Sequence, residues 1–311
     1  MLTNKKLLVT GLTGNLGGSI ASALAQDNDL WGFGRYSREG QREMWEAKGV
    51  HTVVGDFAGG DFTGLPDDFD YVIHCAANCN PSSFEQGMLD NPQGTAMLMA
   101  HCRKAKSFLH ISTTGVYGPN ADKNHNYTET DITGGSAMQN HYEGTKLAAE
   151  GAAWAMAKHL NLPTTVARLG IQYGIYKDGG MLGIFLKLLL AGQPIPLPAT
   201  QSGIIQPISD DDVVEFLEPL LEAASVPPTL TNFAGDEIIK TVEVMEIFGE
   251  LAGIKPTYAT GGFEYPTYLI DPVKRRSITG PCKVALKDGF VKMYNDLAPR
   301  LKKEIEESAN A

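Results

Sequence analysis

The amino-acid sequence predicts an α/β fold, a doubly wound parallel sheet with a smaller C-terminal lobe, and three observations carry that expectation. Short apolar runs alternate with helix-length stretches up to Gly174; a glycine cluster follows the first run directly; beyond Gly174 the rhythm gives way to Gly, Pro and irregular apolar segments. Short runs alternating with helical stretches mark βαβ units, because a parallel strand is reached only by a crossover.

In chain order, strands are predicted near residues 7–10, 30–33, 51–54, 71–75, 107–112 and 164–169, with helices over 18–26, 41–48, 94–104 and 142–160. The last helix is rich in Ala, and a small-residue face of that kind suits close packing on another helix, including one across a homodimer interface. Past Gly174, the pair Gly179-Gly180 and the run from Gln193 to Pro198 interrupt regular structure. A helix restarts after Asp210-Asp211-Asp212, whose carboxylates suit the positive end of a helix, and Thr231 to Ala234 return one strand to the sheet. The tail from Leu301 to Ala311 reads as a charged helix that frays.

Composition narrows the function. With 43% hydrophobic and 20% charged residues over 311 positions the chain buries a core, which excludes disordered and fibrous classes. The 26 basic against 36 acidic residues, a formal charge of -10, oppose binding to a nucleic-acid backbone. The longest apolar run, near residues 181–191, is broken by Lys187, so no membrane span is expected and the sequence is read as cytoplasmic. Four cysteines are too few for a disulfide scaffold and are expected as buried thiols; His101, His110 and His125 are too scattered for a metal site.

The chemistry begins at Gly11-Leu12-Thr13-Gly14-Asn15-Leu16-Gly17, spaced G-x-x-G-x-x-G between a strand and a helix. Glycines there allow a tight turn and close approach of backbone N–H groups to a pyrophosphate, which also gains from the helix dipole. Dinucleotide binding in a Rossmann-type domain follows. It comprises residues 1–174 with 210–236 returning to it, and leaves 175–209 and 237–311 as the smaller substrate-binding lobe. The end of the second strand meets the adenosine ribose in such domains, and here it reads Gly34-Arg35-Tyr36-Ser37-Arg38. Two guanidinium groups and a hydroxyl suit a 2′-phosphate, so NADP is expected ahead of NAD.

Two Tyr-x-x-x-Lys matches occur, Tyr142 with Lys146 and Tyr173 with Lys177. Only Tyr142 opens a helix, where the spacing sets both side chains on one face and lets Lys146 lower the phenol pKa; Tyr173 sits in a glycine-containing loop. Upstream, Ser112-Thr113-Thr114 closes a strand at the edge where open α/β sheets bind ligands, and any of the three hydroxyls could polarise a carbonyl.

Together these residues resemble the extended short-chain dehydrogenase/reductase family, also called the NAD-dependent epimerase/dehydratase superfamily. The resemblance extends to Gly55-Asp56-Phe57, His74-Cys75-Ala76-Ala77, Asn91-Pro92, Arg168 to Gly174, Asp211-Asp212-Val213-Val214 and Asn232-Phe233-Ala234-Gly235. It implies that Asp56 and Phe57 contact adenine, that Ala76 and Ala77 line the cofactor cleft, and that Asn91 supports the nicotinamide end. It selects Thr113 as the hydroxyl that bonds the substrate oxygen, with Tyr142 exchanging the proton and Lys146 holding the ribose.

Departures from the family pattern narrow the reaction. Dehydratases of the family follow the Thr with Asp-Glu, whereas this chain has Thr114-Gly115; epimerases place an Asn and an Arg where this chain has Ile171 and Ile204-Ile205-Gln206. Losing both diphosphate ligands implies a small, largely uncharged carbonyl or alcohol substrate, interconverted by hydride transfer. The alternative is a sugar or sugar-nucleotide epimerase; a second is a dinucleotide-binding regulator without catalysis, which the intact Thr113, Tyr142 and Lys146 oppose.

Overall fold

A computed structural model describes residues 2–122, 124–134, 141–197, 203–259 and 269–309. Pro198 and the last two residues of the tail lie outside them. The described chain is an α/β protein built on a seven-stranded, all-parallel Rossmann-like sheet. The strands are β1 (Lys6–Thr10), β2 (Asp29–Gly34), β3 (His51–Val54), β4 (Tyr71–His74), β5 (Ser107–Thr113), Thr164–Leu169 and Thr229–Phe233. They run across the sheet as Thr229–Phe233, Thr164–Leu169, β5, β4, β1, β2, β3, so the order reverses between β1 and β4. That reversal opens a crevice at the carboxyl ends of the strands, where doubly wound sheets take their ligands.

Strand β1 is a continuous apolar run because both faces of the sheet are covered; Leu7, Leu8 and Val9 are fully buried. One face packs α1 (Asn15–Leu24), the Trp45 side chain of α2 (Gln41–Glu46) and the helix Asp210–Glu222 around Ile20, Leu24 and Phe216. After the short α3 (Phe84–Met88), the other face carries α4 (Gly94–His101) and α5 (Tyr142–Leu160) around Leu98, Met99 and Phe108. Ala149, Ala153 and Ala157 of α5 are fully buried within the chain itself. These three face the protein's own sheet and α4, while Gly151, Trp154 and Ala155 on the other side of α5 are exposed.

The acidic helix start behaves as the sequence predicts: Ser209 caps it, its Oγ accepting from the Asp212 N–H at 3.1 Å, with Asp210, Asp211 and Asp212 in the first turn. A separate apolar cluster joins the helices Gly180–Leu190, Thr241–Ala252 and Leu286–Ala309. The first of these is apolar nearly all round because it is packed from several sides, and the sequence read it as irregular. The last begins at Leu286, well before the expected 301, and runs through Pro299. No helix among the described residues is long and apolar enough to cross a membrane.

Candidate active site

The glycine-rich turn links β1 to α1, and steric room explains its composition. A Cβ on Gly17 would lie 2.5 Å from the Gly11 carbonyl oxygen and 2.7 Å from that of Thr10, while Gly11 itself (φ +76°) sits against the Ala76 backbone. Strand, helix and the end of β4 converge here only without side chains. Helix α1 starts at Asn15, three residues earlier than expected, and no side chain caps it. Its first N–H groups are therefore available to an anion, so the turn fits a dinucleotide pyrophosphate.

The turn opens into a cleft of about 510 Å³. Gly11, Thr13, Gly14, Asn15, Leu16, Gly17, Arg35, Asp56, Phe57, Ala76, Ala77, Thr113, Tyr142 and Lys146 all line it, and so do Ser112, Cys75, Cys79 and Lys177. Ser37 and Arg38 do not. Tyr36 takes a left-handed conformation (φ +44°) and buries its ring in the core beside α1, and Arg38 lines a different hollow with Met44 and Trp45. Arg35 and Arg38 thus line different hollows. The expectation of buried thiols also needs correction: Cys102 is buried, whereas Cys75 and Cys79 line the cleft.

Asn91 acts from behind the wall. It lies in a π-helical turn, Leu89–Gln93, and is 2% exposed. Its Oδ1 accepts from the Asn78 N–H at 2.8 Å and its Nδ2 donates to the Thr145 hydroxyl at 2.9 Å, tying the loop after β4 to α5. A directed chain of hydrogen bonds runs beside it. The Ala76 N–H donates to Thr10 Oγ1 (3.1 Å), which pairs with His74 Nδ1 (2.9 Å). His74 Nε2 pairs with Thr95 Oγ1 (3.1 Å), which donates to the Asn91 carbonyl (2.7 Å). Because Thr95 spends its proton on Asn91, His74 Nε2 carries the ring hydrogen and Nδ1 accepts from Thr10.

At the other end, Thr113 ends β5 and its Oγ1 accepts from the Gly115 N–H at 3.2 Å. The Tyr142 phenol, at the first turn of α5, bonds the Thr113 hydroxyl and the Cys79 thiol. Burial pushes the phenol pKa up, the Cys79 thiol adds to this, and the Thr113 bond opposes it. Lys146 does not bring it down as expected. Its Nζ donates to the Ile111 carbonyl at 2.7 Å and stands 3.4 Å from His110 Nε2. Burial lowers the Lys146 pKa to about 8, against the opposing pull of Cys79, Glu150 and Cys75.

His74 and His110 are buried neighbours across β4 and β5, and both stay neutral. Burial first, and the Lys146 charge second, lower His74 to about 3 and His110 well below its usual range. A folded-state pKa below the unfolded one means that stability is complete above the unfolded value near 6.5 and is lost as pH falls from there towards 3. At 1.36 kcal/mol per group, the pair should cost about 2.7 kcal/mol per pH unit in the acid limb. Urea unfolding at pH 7 and at two lower values checks this; His74→Gln should roughly halve the slope.

Behind Thr113, Arg168 forms a two-point ion pair with Glu150 of α5, Nε to Oε1 at 3.0 Å and Nη2 to Oε2 at 2.8 Å. Both side chains are less than 10% exposed (5% and 8%). Ser112 Oγ donates to the same Glu150 at 2.6 Å. The pair therefore fixes α5, which carries Tyr142 and Lys146, against β5 and the strand Thr164–Leu169. Gln206, one of the positions departing from the epimerase pattern, is structural: Nε2 donates to the Gly235 carbonyl at 2.8 Å and Oε1 accepts from the Ile270 N–H at 2.9 Å.

Fold and cleft define a nicotinamide-dinucleotide enzyme of the extended short-chain dehydrogenase/reductase type. More narrowly, the chain belongs to the NAD dependent epimerase/dehydratase family, whose model matches residues 7–232. Among curated relatives, a trifunctional UDP-glucose 4,6-dehydratase/UDP-4-keto-6-deoxy-D-glucose 3,5-epimerase/UDP-4-keto-L-rhamnose-reductase of Arabidopsis thaliana is 27% identical over 222 residues. The match covers 66% of this chain and 32% of that longer protein. Among solved structures, UDP-glucuronic acid 4-epimerase from Bacillus cereus, in complex with UDP-glucuronic acid and NAD, has the same fold. Its TM-score is 0.80 at 20% identity, covering 94% of this chain and 99% of that one. UDP-glucose 4-epimerase from Thermotoga maritima, with UDP-glucose, aligns with a TM-score of 0.81 at 21% identity over 95% and 99% of the two chains.

Proposed function

We propose that this protein is an NAD-dependent epimerase of a nucleotide-linked sugar, oxidising one ring carbon and reducing it again on the opposite face. The observation that carries the reading is the meeting of Tyr142, Thr113 and Lys146 at one end of the cleft that the glycine turn opens. The relatives that act on UDP-sugars support the substrate class, and they favour epimerisation over the net reduction of a small uncharged carbonyl.

In this reading Tyr142 takes the hydroxyl proton as the alcohol becomes a ketone and returns it on the way back. Thr113 bonds the same oxygen. Lys146, one turn along the same helix face, would hold the nicotinamide ribose. The glycine turn would hold the dinucleotide, with Asp56 and Phe57 toward adenine and Ala76 and Ala77 along the wall, and its nicotinamide would supply hydride acceptance and return. Asn91 is a positioning residue rather than a contact. The C-terminal helices around Phe185, Phe248 and Phe290 are assigned to the substrate-binding lobe.

NAD is the proposed cofactor because Ser37 and Arg38 stand outside the cleft, so a 2′-phosphate finds only Arg35. Equilibrium titration should give NAD an affinity at least about tenfold above that of NADP. The opposite order would return Arg35 and Arg38 to a phosphate-binding role and with it the reductase reading.

A further inference from the structure

We infer that Lys177 is the anion-binding residue at the catalytic end of the cleft, pairing with a carboxylate or phosphoryl group of the substrate; the choice of probes below rests on the sugar-nucleotide reading. The sequence set Lys177 aside as a loop match to Tyr-x-x-x-Lys. The structure gives it a fixed place. Tyr176 Oη donates to the Leu12 carbonyl at 3.3 Å, and Asp178 Oδ1 accepts from Asn15 Nδ2 at 2.8 Å and from the Gly180 N–H at 3.2 Å. Both neighbours of Lys177 are thereby clasped to or beside the glycine turn. Between them Lys177 adopts a left-handed backbone (φ +52°), uncommon for a residue with a side chain and maintained here by the ties on either side.

Among the described residues three basic side chains line the cleft, Arg35, Lys146 and Lys177. Arg35 follows β2 at the cofactor's ribose end, and Lys146 is buried and committed to the Ile111 carbonyl. Lys177 is exposed and forms no ion pair among the described residues. Its charge reaches the Cys79 thiol, which itself borders the Tyr142 phenol. An exposed ammonium group thus lines the same cleft as Cys79 and Tyr142. It also resolves the difficulty raised by Ile171 and Gln206. Those positions offer an anion nothing, Ile171 being packed against the apolar C-terminal cluster and Gln206 spent on backbone groups. An anionic substrate needs a cation from elsewhere, and the clasped loop supplies one.

The test titrates the NAD-loaded protein with UDP, UDP-glucose and UDP-glucuronic acid by calorimetry, comparing wild type with Lys177→Gln and Lys177→Arg. Lys177→Gln should weaken binding about tenfold or more and Lys177→Arg should restore most of it, with NAD affinity unchanged. Loss with all three ligands assigns the contact to a phosphoryl group, and loss confined to UDP-glucuronic acid assigns it to the carboxylate. Equal affinities in wild type and Lys177→Gln overturn the inference. So does a loss of NAD affinity instead, which gives Lys177 to the cofactor's pyrophosphate. If wild type takes none of the three, the sugar-nucleotide reading fails by itself, and inorganic pyrophosphate titrated into the same holoprotein decides the matter: binding that disappears in Lys177→Gln upholds the role, and binding independent of Lys177, or none, overturns it.

Discussion

Tyr142→Phe is expected to lower turnover about a thousandfold while leaving the fold and the dinucleotide affinity in place. The ring is half-buried at the first turn of α5, and Phe fills the same space. What disappears is the hydroxyl that bonds Thr113 and Cys79 and exchanges the proton. The loss should appear in kcat rather than in KM, because the proton transfer belongs to the transition state and little ground-state binding depends on it. Steady-state kinetics and an NAD titration on the same preparation separate the two. A variant with near wild-type turnover would remove Tyr142 from the mechanism.

The second large effect lies away from the reacting groups. Glu150→Ala should destabilise the protein by about 3–5 kcal/mol, because it leaves the Arg168 guanidinium buried without its carboxylate. Arg168 keeps its neutral contacts with Tyr117, whose ring centre is 4.8 Å away, and a 3.3 Å bond to the Glu129 carbonyl. Replacing both members by Met should recover much of that loss, since the paired charges each carry a desolvation cost that the apolar pair avoids. Denaturant midpoints of Glu150→Met, Arg168→Met and the double variant form the cycle that checks this. The double variant should nonetheless turn over more slowly than wild type, because the pair and its Ser112 bond set α5 against the strand that ends in Thr113. Full activity in the double variant would reduce the pair to a packing feature.

What the sequence revealed and what it hid follow one physical division. The glycine turn and the Tyr142–Lys146 spacing were legible because each is a local geometry, a tight turn or one helical face, written within a few residues. The sheet was legible because strands covered on both faces must be apolar throughout. Arg38 lines a hollow apart from the cleft, next to the left-handed Tyr36, which no residue type in that turn announces. Lys177 was passed over because its place in the cleft depends on Asn15 and Asp178, which lie 163 positions apart in the chain. The tail helix was started too late because Pro299 normally ends a helix, and here the helix continues through it, its buried Phe290, Met293 and Leu297 held by the C-terminal cluster. The inference of an uncharged substrate rested on Ile171 and the stretch Ile204-Ile205-Gln206, and a cation reaching the cleft from another loop was invisible to it.

The claim at the centre of this account is that one carbon of a nucleotide-linked sugar is oxidised and reduced again without net consumption of cofactor. The most direct measurement follows UDP-glucose and UDP-glucuronic acid by NMR in the presence of protein and NAD, while the absorbance of reduced nicotinamide is recorded in the same tube. The account predicts appearance of the 4-epimer with no lasting accumulation of reduced cofactor, and no epimer with Tyr142→Phe. Sugars returned unchanged, together with stoichiometric oxidation of NADPH when a small uncharged ketone is supplied, would contradict it.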